Sequence, residues 1–83
     1  MMWKAEIKVL LKKSVLDPQG QAVEKALASL GYGNVQDVRI GKYLEVSFAA
    51  ASQQEAEAQV REMSERLLTN PVIEDYTFEL VEV

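Results

Sequence analysis

Trp3-Lys4-Ala5-Glu6-Ile7-Lys8-Val9-Leu10-Leu11 is the stretch on which the fold turns. Trp3, Ala5, Ile7, Val9 and Leu11 alternate with Lys4, Glu6, Lys8 and, one step on, Lys12. Side chains along a strand point to opposite faces in turn, so this period of two predicts a long strand with one buried side. The lysines are the charges that the solvated side of such a strand carries.

Downstream, Ser14-Val15-Leu16 leads into Asp17-Pro18-Gln19-Gly20. Asp is a favoured helix N-cap, and Pro suits the first helical position because the N–H it lacks has no partner there. Val23, Ala26, Leu27 and Leu30 then recur at the spacing of one helix face, which predicts a buried stripe. Gly31 stands where a left-handed C-terminal cap is wanted. Gly20 lowers helix propensity within the first turn, which marks it for close approach by another backbone.

Residues 35–49 read as two strands meeting at Gly41-Lys42. A two-residue turn there would put Leu44, Val46 and Phe48 on the face opposite to Val38 and Ile40. A bulge or three-residue loop at Gly41 pairs Ile40 with Leu44 and Val38 with Val46 and keeps one core face, so a bulged hairpin is expected. Ser52-Gln53-Gln54-Glu55 is a capping box opening a second helix. Its stripe is Ala56, Val60, Met63 and Leu67, and Glu57/Arg61 and Glu62/Arg66 are favourably oriented pairs on its outer face. Asn70-Pro71 ends that helix. A last strand runs from Ile73 to Val83, with Tyr76, Phe78 and Leu80 on one side and Val81 and Val83 on the other.

The order β-α-β-β-α-β with two amphipathic helices predicts a single α+β domain over residues 1–83. It is expected to be ferredoxin-like: a four-stranded antiparallel sheet with both helices on one face. The other face combines lysines with Leu10, Tyr43, Val81 and Val83, which suits contact with a second copy.

Eighty-three residues make a thin core. With no cysteine and no histidine, disulfides and the usual zinc ligands are both missing, which leaves oligomerisation as the means of support. The same two absences remove the thiolate nucleophile and the imidazole base, so no catalytic residue, cofactor site or metal site is expected in this chain. A net charge of −4 argues against nucleic acid as partner. The Met1-Met2-Trp3-Lys4 start has no signal-peptide apolar region, and no apolar run is long enough for a bilayer, so a cytoplasmic protein is expected. Gly31-Tyr32-Gly33 precedes a strand rather than a helix, which excludes a dinucleotide loop. Glu74-Asp75 are strand neighbours that point apart and cannot share a proton. The segment after the first strand lacks the glycine-rich, arginine-bearing phosphate cradle of an acyl phosphatase. Tyr43 alone is not the aromatic platform of an RNA reader.

Two strings exceed what folding needs: Val15-Leu16-Asp17-Pro18-Gln19-Gly20 and Leu67-Leu68-Thr69-Asn70-Pro71-Val72-Ile73-Glu74-Asp75-Tyr76. With Val38-Arg39-Ile40-Gly41-Lys42 and Glu45 they closely resemble the PurS family, small subunit of phosphoribosylformylglycinamidine synthase, nearly end to end. Ser14 departs from the glycine usual at that place, and Ser64 stands where some relatives carry cysteine. The resemblance implies a noncatalytic subunit of purine biosynthesis that joins a large synthetase subunit and a glutaminase subunit. The whole complex uses ATP and magnesium, and the small subunit supports passage of ammonia between the two active sites. It also implies self-association as a dimer or tetramer. Asp17, Pro18, Gln19 and Gly20, then Arg39, Gly41 and Lys42, then Asn70 and Pro71 are the candidate partner-contact loops. Leu10, Tyr43, Val81 and Val83 are the candidate self-association face. The alternatives are a dimeric ligand-binding regulatory module of the same fold, which predicts a pocket, and a small enzyme, which predicts turnover by the chain alone.

Overall fold

In the computed structural model, which covers residues 1–83, the period-two stretch forms β1 (Met2–Leu11). It is followed by α1 (Pro18–Ser29), β2 (Gly41–Ala49), α2 (Gln53–Met63) and β3 (Glu74–Glu82). The three strands make one antiparallel sheet in the order β2-β1-β3, so β1 is central. The register places Ile7 opposite Leu44 and Phe78, and Ala5 opposite Val46 and Leu80. One inner face therefore collects the apolar rows of all three strands, as the alternation requires.

Helix α2 covers that face. Ala5, Ile7, Val9 and Val60 are essentially sealed from solvent, and Leu44, Val46, Phe78 and Leu80 pack around them half-buried. Trp3, Ala50 and Ala56 form a second small cluster at the other end of the sheet. Burying a side chain such as Ile7 or Val60 contributes about 1.5–3 kcal/mol, so this layer supplies most of the apolar stabilisation.

The capping box forms: the Glu55 N–H donates to Ser52 Oγ at 3.2 Å. The return bond goes one residue further than the motif predicts, from the Ala51 N–H to Glu55 Oε2 at 3.1 Å. At its end α2 passes into a π turn over Ser64–Leu68. The extra residue in that turn rotates Leu68 toward the core and turns Leu67, expected in the stripe, out to 82% exposure. The Thr69 N–H and Oγ1–H both donate to the Ser64 carbonyl, which closes the turn.

Two expectations from the sequence are corrected. The sheet has three strands rather than four, and residues 35–40 form no hairpin with β2. There is neither a bulge nor a tight turn at Gly41, because β2 begins there and pairs along its length with β1. A Cβ on Gly41 would collide with the Val9 carbonyl oxygen, so the absence of a side chain lets the two strands close at that point. The second correction concerns α1. Its caps are as expected: Asp17 accepts from the Gly20 N–H, Pro18 opens the helix, and Gly31 (φ 99°) ends it. The Tyr32 N–H reaches Leu27 O and the Gly31 N–H reaches Ala28 O, a Schellman closure. Yet no α1 side chain joins either core cluster. Of its stripe, Val23 and Ala26 are exposed, Leu30 is 74% exposed and only Leu27 is half-buried.

The shape follows. The chain measures 51 × 26 × 14 Å, with a radius of gyration of 16.3 Å against about 12 Å for a compact chain of this length. A ten-residue strand and a twelve-residue helix set end to end span about 50 Å. Residues 17–40 are an arm that leaves the sheet and returns to it.

Candidate docking site at one end of the sheet

The chain leaves β1 at Leu11, enters β2 at Gly41, and enters β3 at Glu74, which lies opposite Leu11. All three candidate loops therefore meet at one end of the sheet, although they are far apart in sequence. Asp17 ties two of them together. Its Oδ1 accepts from the Gly20 N–H and its Oδ2 from the Ile40 N–H, each at 2.9 Å. The Ile40 and then the Gly20 N–H hold its carboxyl below the usual range, because they stabilise the charged form. A Cβ at Gly20 would strike the Val38 carbonyl oxygen, so the close backbone approach expected at that residue is present and its partner is residue 38. The Arg39 guanidinium donates to the Leu11 carbonyl oxygen, which anchors the returning segment to the end of β1. Pro18 and Gln19 stay exposed beside this knot.

The third loop is held in its own way. Asn70 Oδ1 accepts from the Val72 N–H at 3.1 Å, and its carbonyl accepts from the Ile73 and Glu74 N–H groups. Glu74 Oε1 accepts from the Asn70 N–H at 2.7 Å, leaving Pro71 exposed at the tip. The Lys12 N–H donates to Ile73 O, and its ammonium meets Asp75 at 2.8 Å, fastening this loop to the end of β1. Two open cavities of about 570 and 550 Å³ flank the end, with Lys12, Lys13, Ser14 and Arg39 lining both. Asp17, Glu24, Asp37 and Asp75 line the same cavities, so the end presents charges of both signs rather than a field of one sign.

The outer sheet face is more polar than its apolar members suggested. Leu10 (37%), Tyr43 (52%), Val81 (40%) and Val83 (69%) are exposed there as expected. Between them Lys4 pairs with Glu6 and Glu45 at 3.7 and 3.8 Å. The Tyr43 hydroxyl donates to Glu45 Oε2 at 2.9 Å; partial desolvation and that carboxylate push its pKa up to about 12. Lys42 departs from this group, since its register opposite Val9 sets it on the inner face at the open end of β2. On the outer side of α2, Glu62 and Arg66 pair at 2.9 Å, whereas Arg61 leaves Glu57 and lies 5.4 Å over the Phe78 ring. Sequence reasoning missed Lys12 and Lys13 at this end: the alternation marked Lys12 only as a solvated charge, and Lys13 lies beyond the alternating stretch.

The structure is a small α+β scaffold whose family-marking loops gather at one end, tied by backbone-directed carboxylate and guanidinium contacts. Comparison with known proteins narrows the class. The family model described as "PurS: Phosphoribosylformylglycinamidine (FGAM) synthase" matches residues 4–82. The Bacillus subtilis (strain 168) phosphoribosylformylglycinamidine synthase subunit PurS is 54% identical over 82 residues, covering 99% of this chain and 96% of that one. Thermus thermophilus PurS superposes with a TM-score of 0.85 at 45% identity, covering 100% and 99% of the two chains. A chain of the PurLQS structure from Thermotoga maritima superposes at 0.88 with 30% identity, covering 98% and 99%. The chain belongs to the PurS family. No helix in it is long and apolar enough to cross a membrane.

Proposed function

We propose that this chain is the noncatalytic PurS subunit of a phosphoribosylformylglycinamidine synthase in purine biosynthesis. It joins the synthetase and glutaminase subunits and supports passage of ammonia between them. The observation that carries the reading is the convergence of residues 17–20, 39–42 and 70–71, the strings that mark the family, at one end of the sheet. Those residues spend their polar groups on one another's backbone, so they shape a contact surface rather than a reaction centre. Arg39 acts chiefly as a structural tie through Leu11, while Lys13 and Lys42 remain exposed for a partner. ATP and magnesium are used by the other subunits, and none is held here. A subunit of this pathway works in the cytoplasm.

The complete ferredoxin-like arrangement, with a fourth strand and both helices on one sheet face, belongs to the self-associated protein. The exposed apolar positions of α1 support that assignment, as do Leu10, Tyr43, Val81 and Val83 on the outer face. The deciding experiment measures glutamine-dependent amidotransfer by the synthetase and glutaminase subunits with and without this chain, together with co-elution of all three. Restored transfer and co-elution are expected. Unchanged transfer and separate elution would overturn the reading.

A further inference from the structure

The two open cavities at the loop end differ in charge. The one of about 570 Å³ sets Lys12, Lys13 and Arg39 against Asp17, Glu24 and Asp37. The one of about 550 Å³, which reaches along β3, is lined by Lys8, Lys12, Lys13 and Arg39, with Asp75 as its single carboxylate. Four cations less one carboxylate leave three positive charges in excess, on a chain whose net charge is −4. Ser14 and Thr77 bring hydroxyls to the same cavity, and Leu10 gives it an apolar wall.

The register explains how these groups gather. Lys8, Leu10 and Lys12 occupy alternate positions on the outer side of β1 and its extension, about 7 Å apart. Lys8 stands opposite Thr77, and Leu10 opposite Asp75. The turn closed by the Val15 N–H on the Lys12 carbonyl brings Lys13 and Ser14 over this end. Arg39 arrives from the returning segment through its tie to Leu11. Part of the charge is already engaged, since Lys12 pairs with Asp75 at 2.8 Å. Lys8 and Lys13 are exposed and form no ion pair within the chain. Lys8 also borders Glu6 and Glu79 in a neighbouring cavity, without pairing with either.

A phosphate group carries nearly two negative charges at neutral pH and three strong acceptor oxygens, enough for two ammonium groups and a hydroxyl at once. A carboxylate brings one charge and would leave most of the excess uncompensated. The volume lies in the range of small-molecule sites, and a concave site of that size favours a small ligand over a flat protein surface. We infer that this cavity binds a phosphate dianion, free or borne as the monoester of a small molecule. Lys8 and Lys13 supply the free charges, Lys12 and Arg39 reinforce them, and Ser14 and Thr77 donate hydroxyl hydrogen bonds. The site is separate from the subunit contacts of the proposed function and does not depend on them.

The test titrates ¹⁵N-labelled chain with inorganic phosphate and, separately, with ribose 5-phosphate. Ribose and sodium chloride at matched ionic strength are the controls. Saturable amide shifts confined to residues 8–14, 39 and 75–77 are expected with both phosphates and with neither control. A tighter ribose 5-phosphate assigns the ester as ligand, and equal binding assigns the free ion. Shifts that never saturate, or that appear equally around Lys4, Lys25 and Lys42, would reduce the effect to general attraction and overturn the inference. Lys8→Gln with Lys13→Gln changes two exposed side chains that hold no tie, and is expected to loosen both phosphates about tenfold. Unchanged affinity overturns the inference too. Asp75→Asn removes the lone carboxylate and releases Lys12, so binding is expected to tighten about threefold, and looser binding by a folded variant counts against the site. Co-elution of the double variant with the synthetase and glutaminase subunits is scored separately and is expected to persist. Lost co-elution together with absent phosphate binding would give the cavity to an acidic partner surface instead.

Discussion

The α2 layer and the α1 arm are both built from amphipathic sequence, yet one contributes to the core and the other does not. Val60 of α2 is sealed against Ile7 and Val9, whereas Leu30 of α1 is 74% exposed. Both helices are well capped, α2 by Ser52 and Glu55, α1 by Asp17 and the Gly31 closure. Local signals therefore form both helices, and the difference lies in what each helix meets. The lesson is that a hydrophobic stripe predicts a helix without naming the surface that will cover it.

The strongest way to break the comparison is a large-to-small change on each side. Ile7→Ala removes a fully buried side chain and is expected to cost about 2–5 kcal/mol in urea unfolding. Leu30→Ala leaves the unfolding of dilute monomer within about 0.5 kcal/mol, because that position is exposed in the single chain. Equal losses at the two positions in monomer would mean that the arm is already packed within the chain.

Gly20→Ala comes next. Its methyl group meets the Val38 carbonyl oxygen, and the overpacking is expected to cost about 1–3 kcal/mol. Amide exchange should accelerate across residues 17–40 and stay slow in β1. Acid probes the same knot. Asp17 has a depressed pKa, so its contribution is present above its ordinary value of 3.8 and is lost as pH falls through the lower folded value. Protection of the Ile40 amide should therefore fall in that acid range in the natural chain. In Asp17→Asn, compared at equal pH, that step should be absent.

Ser64→Ala sharpens the other side. The Ser64 hydroxyl is buried in the π turn without a hydrogen-bond partner in the chain, so its removal should raise stability by about 1 kcal/mol. The smallest effect is expected at the exposed Glu62–Arg66 pair, where Arg66→Ala costs about 0.3 kcal/mol and less in high salt.

Much of this architecture was legible in the sequence. The β1 alternation placed Trp3, Ala5, Ile7, Val9 and Leu11 on the core face; the first four are buried, and Leu11, at the strand's end, is half-buried. Asp17-Pro18 and the Ser52–Glu55 box started the two helices where they start. Leu67 was misplaced because helical spacing assumes an unbroken α-helix, and the π turn shifts the phase. The hairpin at Gly41 was misplaced for another reason. Pairing within residues 35–49 and pairing of β2 with β1 satisfy the same apolar alternation, and only competition in three dimensions separates them. The docking end was legible as three family strings but not as one place, since residues 17, 40 and 74 come together only when β1 becomes the central strand.

The sequence by itself determined the elements, their caps, the inner face of the sheet and the family, because those follow from short-range periodicity and from particular loop strings. Only the tertiary structure decided that α1 leaves the sheet, that Asp17 and Arg39 bind the base of the arm, and that the three loops share one end. Those outcomes depend on contacts between distant residues, where a carboxylate choosing the Ile40 N–H outweighs any pattern within either segment.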